Sequence, residues 1–255
     1  MKMIRQEKLY DYINKKGATP IDELVEVLKV SKSTVVRDVN EMEKEGKVVK
    51  LHGGVKPVTE DLSYEPQYLD KMNSNSEIKK KIAQEAMAYI LDNSTIILAS
   101  GTTTMAIAEL ISESKHFTNI TIITNDLQIA YRLASVKHVS LFIMGGQLRQ
   151  DVYSIVSPFS ASVLEYLNAD IFFCSADAVD FTVGVTNNES LEALVKKQMI
   201  DISKKTILVA DKTKFNKIKL IKVCSMDKLD IVITNYPIDK KIREELPEPL
   251  EWIEV

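Results

Sequence analysis

The sequence predicts two units of different class: a small helical head closed by a β-hairpin, then a larger doubly wound α/β body with a mainly parallel sheet. Three observations carry this reading. Residues 1–57 hold three short stretches of helical periodicity followed by a Gly53-Gly54 hairpin signal. From Glu77 onward, β-branched runs, several of them continuously apolar, alternate with helical stretches, the pattern of a sheet buried on both faces. The charge divides at the same place. Residues 1–57 carry 12 Lys plus Arg against 9 Asp plus Glu, and the rest 21 against 27. A basic head on an acidic body is the asymmetry expected when only the head meets nucleic acid.

Composition excludes several classes. Of 255 residues, 45% are apolar and 27% charged, with 8 glycines and 7 prolines, which argues against a disordered or collagen-like chain. The longest apolar runs, such as Thr95 to Ser100 and Leu141 to Met144, fall far short of the roughly 20 residues of a membrane helix. The start, Met1-Lys2-Met3-Ile4-Arg5, lacks the apolar segment of a signal peptide. Cys174 lies in an apolar run and Cys224 stands alone, so both read as reduced thiols of a cytoplasmic protein.

In the head, Leu9, Tyr12 and Ile13 mark a first helix over roughly residues 3–15 that stops near Gly17. Thr19 is the expected N-cap of a second helix, with Pro20 in the first helical position and Asp22 completing a capping-box variant. Ile21, Leu24, Val25 and Leu28 form its apolar stripe. After a turn at Lys29-Val30, Ser31 caps a third helix with Val35, Val39 and Met42 inward and Gly46 at its end.

That third helix presents Ser31, Lys32, Ser33, Thr34 and Arg37, short donors and a forked cation of the kind that hold phosphates and read guanine edges in a major groove. Lys47 to His52 is strand-like, and the Gly53-Gly54 turn leads into Val55-Lys56. Lys50, His52 and Lys56 would lie on a wing that touches the DNA backbone. Together these pieces read as a winged helix-turn-helix.

The run Val30-Ser31-Lys32-Ser33-Thr34-Val35-Val36-Arg37-Asp38-Val39, with Leu51-His52-Gly53-Gly54-Val55, resembles the DNA-binding head of the DeoR family of bacterial sugar-catabolism repressors. The family usually has two consecutive arginines before the aspartate; this chain has Val36 and Arg37, and Lys50 where arginine is common. Neither replacement preserves the guanidinium fork.

Residues 58–76, rich in Asp, Glu, Asn and Ser, read as a linker with a short ordered piece around Tyr64 to Tyr68, and residues 77–255 as the body. A helix is marked by Ile78, Ile82, Ala86 and Ile90. Core strands are expected at Ile96–Leu98, Ile120–Ile123, Val139–Met144, Ile171–Phe173, Ile207–Val209 and Ile231–Ile233. Ligands of such sheets bind beyond the carboxyl ends of the strands. Those ends carry Ser100, Gly101, Thr102, Thr103 and Thr104 before a helix, then Thr124-Asn125, Gly145-Gly146, Asp177 and Asp180, with Glu192 on a later helix and Asp211 to Lys214 after a later strand. A glycine and hydroxyls at a helix N-terminus suit a phosphate. No Gly-Lys-Thr follows, so the loop is not a Walker loop, and no cofactor or metal is expected. The series of small and polar strand ends points to a pocket for a polyol phosphate.

The body resembles the DeoR sugar-phosphate-sensing domain, which is similar to ribose-5-phosphate isomerase. The matching stretches include Ser100 to Thr104, Thr124-Asn125, Gly145-Gly146, Glu192-Ala193 and Ala210 to Phe215. The resemblance implies effector contacts at Lys71, Lys79, Asp211 and Lys214 as well as the threonine-rich loop, operator DNA as partner and release by a sugar phosphate. A homo-oligomer, dimer or larger, is expected because one winged helix makes too few contacts for tight specific binding. Ser157, Ser175 and Ala178 stand where the family often has glycine, and the added bulk leaves three outcomes open: a narrowed pocket, one shifted to another effector, or one no longer responsive. An isomerase is the rival reading, with Asp177, Asp180 and Glu192 as bases. The isomerase pattern has a lysine followed by glycines between those carboxylates, whereas residues 181–188 hold no lysine. The expectation is therefore a binder without turnover. A third reading is a regulator that senses no ligand and works through protein contacts.

Overall fold

The computed structural model describes residues 2–45, 47–51, 53–58 and 68–255. The chain forms two compact units, Met1–Tyr64 and Glu65–Val255.

The first unit contains α1 (Lys2–Lys16), β1 (Thr19–Pro20), α2 (Ile21–Leu28), α3 (Lys32–Lys44), β2 (Val48–Leu51) and β3 (Gly54–Pro57). Leu9 and Ile13 of α1, Leu24 of α2, and Val35, Val39 and Met42 of α3 bury against Val48 and Val55 of the hairpin. Polar ties flank this core: Arg5 donates to both Asp38 oxygens, at 2.5 and 3.0 Å, and Gln6 donates to Glu41 at 2.9 Å, both joining α1 to α3.

Two local expectations are corrected. Thr19 does not cap α2. It pairs with Val55 across β1 and β3, its hydroxyl donates to the Gly17 carbonyl, and extended Pro20 takes the cap position. The hairpin does not turn at Gly53-Gly54, because Gly54 is already paired with Leu51 and Pro20. A Cβ on Gly54 would lie 2.9 Å from the Thr19 carbonyl oxygen, and Gly53 adopts φ +81°. One glycine thus admits a neighbouring strand and the other makes the turn. Gly46 and His52 lie outside the described residues.

The second unit begins with α4 (Tyr68–Asn73) and α5 (Ser76–Ala86), so part of the expected linker is helical. Burial of Tyr68 and packing of Met72 against the core account for the difference. The chain continues through β4 (Thr95–Leu98), α6 (Thr102–Glu113), β5 (Ile120–Thr124), α7 (Leu127–Leu133), β6 (Val139–Ile143), β7 (Gln147–Arg149), β8 (Ser154–Val156), α8 (Ser160–Leu164) and β9 (Ala169–Cys174). It ends with β10 (Ala178–Asp180), β11 (Gly184–Asn187), α9 (Ser190–Asp201), β12 (Ser203–Val209), β13 (Ile221–Cys224), β14 (Ile231–Thr234), α10 (Lys240–Glu245) and β15 (Glu251–Glu254).

Seven strands form one sheet in the order β15-β14-β12-β9-β4-β5-β6, and every pairing in it is parallel. Alternate residues feed two cores. Ile97, Ile123, Phe172, Leu208 and Val232 face one, while Ile96, Ile122, Phe173, Ile207 and Ile231 face the other. That is why these strands read as continuous apolar runs. Chain order moves outward from β4 through β5 to β6, then restarts at β9 on the other side of β4 and moves the opposite way. The switch point therefore lies between β4 and β9, where a ligand crevice is expected. Two antiparallel additions, β7–β8 and β10-β11-β13, complete the unit.

Candidate functional site

In the head, Ser31 caps α3: its oxygen accepts from the Thr34 amide at 3.3 Å and lies 3.0 and 2.8 Å from the Ser33 and Thr34 hydroxyls. These hydroxyls stiffen the first turn as well as facing outward. Ser33, Val36 and Arg37 are exposed and, with half-buried Asn40, follow the i, i+3, i+4, i+7 spacing of one helix face. Arg37 makes no ion pair among the described residues, whereas Lys32 pairs with Asp22 at 2.6 Å and Lys50 with Glu43 at 2.7 Å. The residue types alone did not reveal that Val36 and Asn40 share the outward face; it became visible once Val35, Asp38 and Val39 were seen buried.

In the body, one pocket opens at the switch point. It is lined from β4 by Ser100, Gly101, Thr102 and Thr103, from β9 by Ser175 to Asp177, and from β12 by Val209 to Asp211 with Thr213 and Lys214. Tyr68, Lys71 and Ser74 enter from α4 and the turn after it, Lys79 from α5, and Glu192 and Lys196 from α9.

Gly101 precedes α6 with no side-chain cap, so the first-turn amides lack a side-chain acceptor. The Gly101 amide itself is taken by Asp126 at 3.2 Å. Asp126 also accepts from Gln128 and Ile129 at the start of α7, and burial pushes its carboxyl up to about 6 despite those bonds.

Carboxylates and cations alternate across the floor. Glu192 accepts from Ser100 Oγ at 3.0 Å and meets Arg149 at 2.5 Å and Lys196 at 3.2 Å. Lys196 is fully buried and also donates to the Ser175 carbonyl and the Asn187 side chain. Burial is the largest influence and would lower its basicity, but the acidic groups around it, Glu192 foremost with Asp177, together outweigh burial and keep it charged. Burial likewise pushes Asp177 up, yet Lys71, Lys196 and Lys214 outweigh it and hold its carboxyl at about 2. Lys71 lies 3.4 Å from Asp177.

Two lysines are less well matched. Burial lowers Lys79 to about 8, and its ammonium donates to the carbonyls of Lys71 and Ser74, where α4 ends. Burial and the nearby Lys71 also lower Lys214, whose ammonium makes no hydrogen bond or ion pair among the described residues. Asp211 accepts from the Thr213 amide and hydroxyl and from Asn75. Lys79 and Asp211 thus brace the pocket wall, and Lys214 adds a cation that feels Asp177 and Asp211 through space.

Several strand-end residues stand outside the pocket. Thr104 donates to the Ala99 and Gly101 carbonyls, and Thr124 donates to Leu98 and accepts from Asp126. Asn125 accepts from the Ser100 amide at 2.9 Å and donates to the Ile155 carbonyl. These three hold the strand ends together, so their polar atoms are already used. Gly145 and Gly146 do not line the pocket either: Gly146 packs against Val156, where a Cβ would lie 2.3 Å from a carbonyl oxygen. Asp180 caps its own turn through the Thr182 and Val183 amides.

Of the three positions where glycine was expected, only Ser175 reaches the pocket. Ser157 packs beside Gly146, and Ala178 is buried in β10. The absence of a lysine between the carboxylates holds for residues 181–188, but α9 delivers Lys196 to Glu192 one helical turn on. Lys196 escaped notice because a lysine in a helix of mixed composition looks like any solvated charge.

A helix-turn-helix with a wing, followed in the chain by an α/β unit with a polar pocket at its switch point, defines the class of two-domain DNA-binding regulators. The chain belongs to the DeoR family of transcriptional regulators: residues 5–61 match the DeoR-like helix-turn-helix domain and residues 74–236 the DeoR C-terminal sensor domain. It is 33% identical over 239 residues to the HTH-type transcriptional regulator IolR of Bacillus subtilis, covering 94% of this chain and 93% of that one. It is 30% identical over 241 residues to the lactose phosphotransferase system repressor of Staphylococcus aureus, covering 93% and 94%. Among solved structures, ribose 5-phosphate isomerase A from Methanocaldococcus jannaschii matches at 17% identity and a TM-score of 0.42, over 56% of this chain and 55% of that one. The chain thus spans about half the length of that isomerase. The relatives are named as regulators, and the chain is a regulator rather than an enzyme.

Proposed function

We propose that the protein represses a sugar or polyol catabolic operon and leaves its operator when a phosphorylated sugar fills the pocket at the switch point. The observation that carries this reading is the uncapped start of α6 opening into the same pocket as the Lys214 ammonium, an arrangement suited to a phosphate group. The alternating acids and bases around Glu192 and Asp177 suit the hydroxyls of the attached polyol. The names of the relatives, among them a lactose phosphotransferase system repressor, support the sugar assignment.

Ser31, Lys32, Ser33, Thr34, Arg37, Lys50 and His52 form the proposed DNA contacts. A dimer or tetramer acting in the cytoplasm fits this role, since one winged helix makes too few contacts for tight specific binding. A thermal-denaturation screen of sugar phosphates against the purified chain tests the pocket. A ligand at 100 times its dissociation constant adds about 2.7 kcal/mol of stability; no shift with any phosphorylated sugar at millimolar concentration would refute the reading.

A further inference from the structure

We propose that the Tyr68 hydroxyl donates a hydrogen bond to the oxyanion of the effector at the first turn of α6, which makes α4 part of the binding site. The inference rests on the pocket reading above and adds a residue and an element to it.

Tyr68 opens α4 and is 6% exposed. Its amide donates to the Asp151 carbonyl at 2.9 Å, and its ring packs edge-on against Tyr153 with centroids 5.2 Å apart. The backbone and the ring are therefore each anchored, yet the hydroxyl is buried and finds no hydrogen-bond partner among the described residues. A buried hydroxyl left unpaired is destabilising, and folded proteins rarely keep one without a use for it. The side chain lines the pocket together with Thr102 and Thr103, and α4 packs against α6.

Two independent features thus belong to the lining of one pocket: an unpaired phenol and a helix start without a side-chain cap. Burial first, and then the charge of Asp126, push the phenol up, so it stays protonated and able to donate. The Lys214 ammonium lines the same pocket. Phenol, amides and ammonium are all donors. The group that satisfies such a set is an acceptor with several oxygens and negative charge, a phosphate or phosphate monoester. Because Tyr68, Lys71 and Ser74 come from one short stretch, a ligand bonded to Tyr68 is held by the first described element after the head.

The test compares the full-length chain with Tyr68→Phe, using thermal denaturation and calorimetric titration with inorganic phosphate, glycerol 3-phosphate and, as a neutral control, glycerol. Without ligand, the variant should melt at or above the temperature of the parent, because it loses only an unpaired hydroxyl. Its affinity for both phosphate-bearing probes should fall about 10- to 100-fold, the effect of one hydrogen bond to a charged group. Equal affinity in parent and variant would overturn the Tyr68 contact and leave the pocket reading standing. A lower melting temperature without ligand would show that the hydroxyl has a protein partner, which also overturns it. Loss confined to glycerol 3-phosphate, with phosphate unaffected, would contradict the placement at the oxyanion. If the parent responds neither to these probes nor to any phosphorylated sugar of the screen above, the pocket reading falls and this inference falls with it.

Discussion

A Cβ placed on Gly101 would lie 2.9 Å from the Ser175 Cβ, so these two positions share one space at the mouth of the switch point. The Ser175 hydroxyl uses that space to donate to the Ser100 carbonyl at 2.5 Å. Gly101→Ala should therefore destabilise the body by about 1–3 kcal/mol through overpacking and backbone strain. Adding Ser175→Gly should recover part of that loss, with a coupling of at least about 0.5 kcal/mol in a double-mutant cycle. Urea denaturation of the four proteins measures it, and strictly additive losses would show that Ser175 is not the obstacle.

Lys196 is the buried counterpart of the exposed lysines around it. Lys196→Ala leaves Glu192 with one cation fewer and removes a charged donor from the acceptors on Ser175 and Asn187. Breaking such a buried pair costs about 3–5 kcal/mol. Lys204→Ala, which breaks the exposed pair with Asp170, should cost no more than about 1 kcal/mol. Similar losses for both variants in chemical denaturation would contradict the description of the pocket floor.

The sheet was legible because its strands are buried on both faces and so read as unbroken apolar runs, as Ile96-Ile97-Leu98 and Ile231-Val232-Ile233 do. The short antiparallel pieces were not: β7 and β10 are three residues each and lack a recognisable period. The strand-end rule led to Ser100 through Thr103, Asp177, Glu192, Asp211 and Lys214, which line one pocket. It also led to Thr124 and Asn125, whose side chains tie the strand ends together, because a polar residue at a strand end reads the same whether it faces a ligand or a neighbouring backbone. Tyr68 and Lys196 were missed for a related reason: burial of a phenol or an ammonium is a tertiary event with no local signature.

In the head, the exposed Arg37 and the paired Lys50 should behave differently. Arg37→Ala should weaken operator binding by about 1–3 kcal/mol and leave non-specific binding much less affected, as expected for a base reader. Glu43→Gln releases Lys50 from its 2.7 Å ion pair and should raise affinity for every sequence, with a steeper dependence on salt. Gel-shift titrations at several salt concentrations separate the two. If Arg37→Ala weakened all sequences equally, α3 would not be reading bases through this residue.

Asp126 predicts a pH signature. Its carboxyl titrates at about 6 in the folded chain, against an ordinary value of 3.8. Between about pH 4 and 6 the folded state keeps a proton that the unfolded state has lost. Its contribution to stability therefore falls as pH rises through that window, by about 3 kcal/mol in all. The difference in stability between the parent and Asp126→Asn, measured by denaturation from pH 4 to 7, should shift in that direction. A difference independent of pH would show that the carboxyl is not held above its usual range.

Coupling between the pocket and operator binding requires a ligand whose affinity differs between the operator-bound and operator-free protein. The most direct measurement is operator affinity with and without a panel of sugar phosphates, for the parent, Lys214→Ala and Thr103→Val. The parent should lose affinity about 5- to 150-fold with its effector, corresponding to a coupling of about 1–3 kcal/mol. Both variants should bind operator as the parent does without ligand and respond weakly to it. A parent that responds while both variants respond equally well would place the effector elsewhere and contradict the account.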